Sequence, residues 1–158
     1  MGRMSPRRQG DLGELSAMEW LASQGYGVYY PIGHSPDCDL VIDDGRALER
    51  VQVKTTTQFV KARWTVTLCT RGGNQSWNGI VKRFSAERCD RLFVLVGNGR
   101  RWFIPATAVD GGSLIALGGP KYAEFEIDAG RPLRSDRTSV AILRSPWRGS
   151  RAVKGVAL

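Results

Sequence analysis

Between Cys38 and Lys54 the chain carries three residue types that together suit chemistry on a phosphate ester: Asp39, Gln52 and Lys54. Two short apolar runs, Asp39-Leu40-Val41-Ile42 and Val51-Gln52-Val53-Lys54, flank an Asp43-Asp44-Gly45 turn, and an Asp-Gly pair is a strong hairpin signal. Side chains alternate along a strand, so Gln52 and Lys54 share one face while Val51 and Val53 share the other. Asp39 and Val41 likewise point opposite to Leu40 and Ile42. Such a hairpin gathers a carboxylate, an amide oxygen and an ammonium on one sheet face. A divalent cation and an activated water beside a phosphodiester need that combination. Lys54 would orient the water and offset charge growing on the phosphate, and Gln52 would offer its side-chain oxygen to the metal. An amide is a weaker ligand than a carboxylate, so looser metal binding or a larger share for another acid is expected. The backbone carbonyl of Val53 is a further candidate ligand.

That other acid is Glu14. The stretch from Asp11 to Gln24 is helical in pattern, with Gly25 as its stop. Glu14 projects between Met18 and Leu21 on the apolar side of this helix, while Ser16 and Glu19 lie on the polar side. A carboxylate turned toward a core needs a positive partner, and a metal ion or Lys54 would supply it. The bland alternative is a helix-end Glu that reaches solvent or caps a backbone N–H.

The spacing Asp39…Gln52-Val53-Lys54, with Glu14 on a preceding helix, resembles the PD-(D/E)XK nuclease superfamily. Gly10-Asp11-Leu12-Gly13-Glu14, Gly25-Tyr26, Asp39-Leu40 and Val51-Gln52-Val53-Lys54-Thr55 look most like its group I intron homing endonuclease branch. Cys89-Asp90-Arg91-Leu92-Phe93-Val94 and Trp102-Phe103-Ile104-Pro105 fit that branch too, so the likeness spans about residues 9–105. Gln52 stands where many members carry Glu, although some branches use Gln. Pro36-Asp37 also spells Pro-Asp, but Asp39 opens the apolar run and is the favoured ligand. The resemblance implies a restriction-endonuclease-like α/β fold, a central mixed β-sheet flanked by α-helices. It further implies a Mg²⁺-dependent endonuclease, with Mn²⁺ as a substitute ion, acting on double-stranded or branched DNA. Asp39 and Gln52 hold the metal in this reading, and Glu14 joins directly or through a water. Two strands of a duplex need two sites, so a homodimer or higher homo-oligomer is expected. The alternatives are a DNA-binding module on a nuclease fold that has lost catalysis, a Holliday-junction-resolvase-like enzyme, and an RNA nuclease.

With 158 residues, 42% of them hydrophobic, the chain suits one globular domain. Its expected organisation is a basic, flexible leader over 1–9, a nuclease-like domain over 10–130 and a basic extension over 131–158. No apolar run approaches the ~18 residues of a membrane span, and Met1 to Arg8 lacks the apolar core of a signal peptide. Cys38, Cys69 and Cys89 fit neither a disulfide framework nor a zinc knuckle, so reduced thiols and a cytoplasmic location are expected. The net charge is +8, and seven basic residues against one acid after Asp128 account for +6 of it. A basic end suits a polyanion, and Arg144, Arg148, Arg151 and Lys154 are the candidate DNA contacts. A solvated tail that aids solubility is the alternative.

The remaining elements follow from pattern. Strands are expected near Val28–Pro31, over 38–43 and 48–56, and over Trp64–Cys69, then a loop at 71–76 and a helical turn over Val81–Ser85. Leu92–Val96 and Arg101–Ile104 form a second hairpin across Gly97-Asn98-Gly99. A short helix follows at Ala106–Asp110, an edge strand at Glu124–Ile127, and a further short strand at Ser139–Leu143. Thr55, Thr56 and Thr57 read as strand formers and Asp90 as structural. His34 in its loop could touch DNA or move a proton. Trp77 and Trp147 could stack on bases or anchor the fold.

Overall fold

The first helix starts earlier than its apolar pattern suggests. Ser5 caps it by accepting the Arg8 N–H at 3.3 Å, and Pro6 takes the first helical position, where its missing N–H costs nothing. The helix α1 therefore runs Pro6–Ser23, into the stretch read as leader, and the chain turns out of it at Gly25 with φ +88°. The computed structural model describes residues 4–33, 37–71 and 81–133. His34, Trp77, Trp147, the expected strand Ser139–Leu143 and the basic residues Arg144, Arg148, Arg151 and Lys154 lie outside the described residues.

The strands that follow are β1 (Gly27–Tyr29), β2 (Leu40–Asp43), β3 (Leu48–Thr56), β4 (Phe59–Val60), β5 (Arg63–Thr67), β6 (Thr70–Arg71), β7 (Val81–Lys82), β8 (Arg91–Val96), β9 (Arg101–Pro105), β10 (Leu114–Leu117) and β11 (Glu126–Ile127). A six-stranded sheet has the order β1-β2-β3-β8-β9-β11, with only the β3–β8 pair parallel, so the expected mixed sheet is present. β11 is an edge strand of this sheet, as expected, but shorter. A three-stranded sheet, β10-β5-β4, forms a second layer, and β6 pairs with β7. Val81–Lys82 is thus a strand rather than a helical turn, because Thr70 and Arg71, ten to twelve residues earlier in sequence, offer it a backbone partner. The short helix after Pro105 is a single 3-10 turn at Ala106–Ala108.

Both hairpins form where the turn residues place them. Asp43 Oδ1 accepts the Gly45 N–H at 2.8 Å, and Asp44 Oδ1 accepts those of Arg46 and Ala47 at 2.8 and 2.9 Å. Gly45 supplies the positive φ of +85° that this turn requires.

Two apolar cores lie on opposite faces of the large sheet. Ala17, Trp20 and Leu21 of α1 cover Leu40, Ile42, Val51, Phe93 and Leu95. On the other face Val66, Leu68, Ile115 and Leu117 of the small sheet pack against Leu92, Val94, Trp102 and Ile104. Among the described residues α1 is the only α-helix, so a second β layer covers the face where a further helix was expected. Each large side chain buried here contributes roughly 1.5–3 kcal/mol. No described helix is long and apolar enough to cross a membrane.

Candidate active site

β3 has nine residues and β2 has four, and this mismatch creates the site. The β2–β3 ladder ends at the Leu40–Val51 pair, so the half of β3 beyond Val51 has no strand on that side. Backbone groups left bare at a strand edge need partners. Asp39, one residue before β2, supplies one: its Oδ2 accepts the Val53 N–H at 2.7 Å. Gln9 of α1 supplies another, donating its side-chain amide to the Thr55 carbonyl at 3.1 Å. The free edge of β3 is therefore lined by the start of β2 and the first half of α1.

Alternation then separates the side chains. Val53 pairs in register with Phe93 and faces α1. Gln52 and Lys54 pair with Leu92 and Val94, whose side chains belong to the core under the small sheet. Gln52 and Lys54 thus share the face away from α1, as the hairpin pattern predicts. Glu14 arrives from the other face, flanking the buried Gly13 and Ala17, half-buried rather than turned fully inward. Its carboxylate lies within electrostatic reach of Asp39, at the open edge of β3.

Close packing brings it there. Gly13 lies directly on Thr55, and a Cβ at this position would overlap Thr55 Oγ1 and sit 3.4 Å from Val53 Cγ1. A mid-helix glycine costs about 1 kcal/mol relative to alanine, so its presence marks a close approach. Farther along, the buried guanidinium of Arg101, only 3% exposed, ties α1 to β9. It donates to Glu19 Oε2 at 2.8 Å, to Ser16 Oγ at 3.3 Å and to the Asp128 carbonyl at 2.7 Å.

The charges couple Asp39 to Glu14 and to Lys54. Burial pushes the Glu14 carboxyl above its ordinary value, and the charges of Asp39 and then Asp11 push it further. Burial also raises Asp39, against the pull of the Val53 N–H and the Lys54 ammonium. Burial lowers Lys54, while Asp39 foremost, then Cys69 and Cys89, hold its proton on. Cys89 is itself buried, with its thiol pushed up to about 11. Two carboxylates disfavoured in their charged form are what a cation would relieve.

The donor set fits such an ion only modestly. No group of three or more His, Cys, Asp or Glu side chains among the described residues forms a ready metal cage. Asp39 and Glu14 are the candidate acids, and the Gln52 amide and Val53 carbonyl of β3 are the candidate neutral oxygens. Oxygen ligands of this kind suit a hard cation such as Mg²⁺ rather than zinc.

Neighbouring acids serve other ends. Asp37 stands 3.8 Å from Arg88 in its loop, which leaves Asp39 as the acid at the strand. Asp90 is structural: Oδ2 accepts both the Arg50 backbone N–H at 2.7 Å and Nε at 2.9 Å, and Oδ1 accepts Nη2 at 3.1 Å. Gln9, Gly13 and Arg101 escaped the sequence reading. Only Gly13 carried a local sign of its role, as a glycine inside a helical pattern.

A family model described as PD-(D/E)XK endonuclease matches residues 4–106. Among solved structures, the bacterial homing endonuclease I-Ssp6803I superposes with a TM-score of 0.63 at 19% identity, covering 78% of this chain and 89% of that one. At that identity the likeness speaks for a shared fold. A comparison with curated proteins gave no match. The family match covers more than half of the chain and includes Glu14, Asp39, Gln52 and Lys54, and on this ground the chain belongs to the PD-(D/E)XK endonuclease family.

Proposed function

We propose that the protein is a metal-dependent endonuclease that hydrolyses phosphodiester bonds in double-stranded or branched DNA. What supports this reading is that Asp39, hydrogen-bonded to the open edge of β3, interacts electrostatically with Glu14 on one side and Lys54 on the other, both carboxyls being raised and the lysine lowered by burial. Asp39, Gln52, the Val53 carbonyl and Glu14 would hold Mg²⁺, or Mn²⁺ in its place. The ion, when bound, supplies Lewis acidity at the phosphate and makes water more acidic. Lys54 orients the attacking water and donates hydrogen bonds to the phosphate oxygens as negative charge gathers there. As the oxygen of the water bonds to phosphorus, the P–O bond opposite breaks in line; the proton of the attacking water passes to bulk solvent and the leaving oxygen takes one from solvent, so that one water is consumed per bond cut. The Val53 N–H fixes the Asp39 carboxylate so that it need not be ordered at each turnover.

Arg144, Arg148, Arg151 and Lys154 serve as phosphate contacts in this reading, and a homodimer supplies the second site for a double-strand cut. A second reading, a DNA-binding module without catalysis, is favoured by one feature: the amide of Gln52 stands where a third carboxylate would strengthen the metal shell.

Cleavage of supercoiled plasmid and of a four-way junction, with Mg²⁺, Mn²⁺ or EDTA, separates the two. Metal-dependent nicking by the wild type that disappears in Lys54→Ala is the expected result. Equal silence of both proteins, with DNA binding retained, would overturn the enzyme reading in favour of the binding module. Preferential cutting of structured RNA would overturn the choice of DNA.

A further inference from the structure

Directly after the site strand, the chain makes a tight hairpin whose tip is unusual. β4 and β5 pair as Phe59–Trp64 and Val60–Arg63, which leaves Lys61 and Ala62 as a two-residue loop. Both have positive φ, +48° and +59°. A two-residue hairpin loop demands left-handed backbone at both positions, normally met by Asn-Gly or Asp-Gly. Here a lysine and an alanine accept that strain, and such strain at a non-glycine residue points toward a role.

The hairpin is stiff at its root and exposed at its tip. The Phe59 and Trp64 rings lie 4.7 Å apart, and Gly97 approaches Trp64 so closely that an added Cβ would stand 3.1 Å from that ring. Phe59 and Val60 are nonetheless more than half exposed, and Lys61 and Ala62 are exposed beside them. Lys61 has no ion pair among the described residues.

The charge pattern tells what this tip meets. From Arg50 through Ala86 the chain has seven lysines and arginines and no aspartate or glutamate. This acid-free stretch begins on the strand of Lys54 and includes the whole hairpin. Lys61 lies seven residues beyond Lys54, so the tip is within ~23 Å of the site at about 3.3 Å per residue. Between them, Thr55, Thr57, Gln58 and Thr67 line a cavity of about 580 Å³ with Gln9, and hydroxyl and amide groups of this kind bind phosphate oxygens.

We infer that the β4–β5 hairpin is a DNA-reading element that places Lys61 in the major groove of the duplex beside the cleavage site. The inference rests on the nuclease reading above. Two strands about 4.8 Å apart, with their side chains, make a ribbon that enters the ~12 Å major groove but not the ~6 Å minor groove. The exposed Phe59 and Val60 then meet base edges and thymine methyl groups, and Lys61 meets guanine or phosphate oxygens.

The test uses the full-length protein and a labelled linear duplex, with Ca²⁺ replacing Mg²⁺ so that the strands stay intact. Lys61→Asn with Ala62→Gly keeps the turn, since both replacements adopt left-handed backbone more easily, while it removes the cation. The expected result is an equal or higher melting temperature with duplex affinity about five-fold weaker and a salt slope shallower by about one. Lys61→Gln gives the same comparison without touching the backbone preference of Ala62. Unchanged affinity and slope in both variants would overturn the hairpin proposal and leave plasmid cleavage by the wild type, read separately, to stand for the nuclease reading. A wild type that neither binds duplex nor cuts plasmid would overturn both. Methyl green, a major-groove ligand, should displace the protein; displacement by netropsin alone would overturn the groove assignment.

Discussion

The Asp39 carboxylate accepts the Val53 N–H at 2.7 Å, so the acid proposed as metal ligand is also the backbone partner of the strand that carries Lys54. This contact extends the link between β2 and β3 past the end of their ladder, across the two halves of the proposed catalytic motif. It also separates structure from charge, because an amide side chain can accept the same hydrogen bond without the negative charge.

Asp39→Asn should therefore keep the fold and lose cleavage. Burial raises the Asp39 carboxyl, so its charged form is less favoured in the metal-free fold than in the unfolded chain. For a raised carboxyl the stabilising contribution is present below the ordinary carboxylate range and is lost as pH rises through the folded value. Asp39→Asn should then flatten the fall in melting temperature as pH rises from the ordinary carboxylate range of about 4, and abolish the added stability given by Mg²⁺. Differential scanning fluorimetry with and without Mg²⁺ checks both. A drop of more than about 5 °C at pH 7 would show that the charge itself supports the fold.

Gly13→Ala should damage the site through packing. The new methyl overlaps Thr55 Oγ1, so α1 must lift from β3 and carry Glu14 with it. A cost of about 1–3 kcal/mol in urea unfolding and a larger proportional loss of cleavage are expected. Thr55→Ala in the same protein should restore part of both, since the overlapping hydroxyl is gone. No recovery would mean that the contact of the new methyl with Val53, rather than with the Thr55 hydroxyl, sets the outcome.

The pair Arg101–Glu19 should respond asymmetrically. Glu19 has 67% of its side chain exposed, and Glu19→Gln should cost under about 1 kcal/mol. Arg101→Met removes donors from Ser16, Glu19 and the Asp128 carbonyl at once, and about 2–3 kcal/mol is expected. Equal costs for the two substitutions would refute the idea that Arg101 fastens α1 to β9.

Asp90 should matter to acid stability and not to chemistry. The Arg50 guanidinium, foremost through its hydrogen bonds, holds the Asp90 carboxyl below the ordinary range. A lowered carboxyl contributes stability above its unfolded value near pH 4, and that stability is lost as pH falls through the lower folded value. Asp90→Ala should cost about 1–2 kcal/mol at pH 7, flatten the acid limb of the stability curve and leave kcat per folded molecule unchanged. A loss of kcat without loss of stability would place Asp90 in the site.

Gln52→Glu should tighten the metal. A third carboxylate beside Asp39 and Glu14 raises the negative charge facing the ion, so half-maximal cleavage should need less Mg²⁺, by about three- to ten-fold. Complete loss of cleavage would argue against a metal-shell role for this side chain.

Much of this architecture is written locally. Asp43-Asp44-Gly45 and Gly97-Asn98-Gly99 are turn sequences, and strands of alternating or continuous apolar residues flank each, so both hairpins were legible. The helix was legible too, although its Ser5-Pro6 start was hidden within a basic stretch that resembled a leader. β4 and β10 were not, because two- and four-residue strands have little pattern of their own and exist here by pairing with β5. Val81–Lys82 became a strand through its partner at Thr70–Arg71.

The residue types and the spacing of Asp39, Gln52 and Lys54 are properties of the sequence, since a strand's two-residue period fixes which side chains share a face. The electrostatic coupling of Glu14 with Asp39 is not. It depends on β2 stopping at Leu40, on the bare edge of β3 that follows, and on Gly13 letting α1 settle against Thr55. Those conditions join chain segments tens of residues apart, and only close packing in three dimensions brings them together.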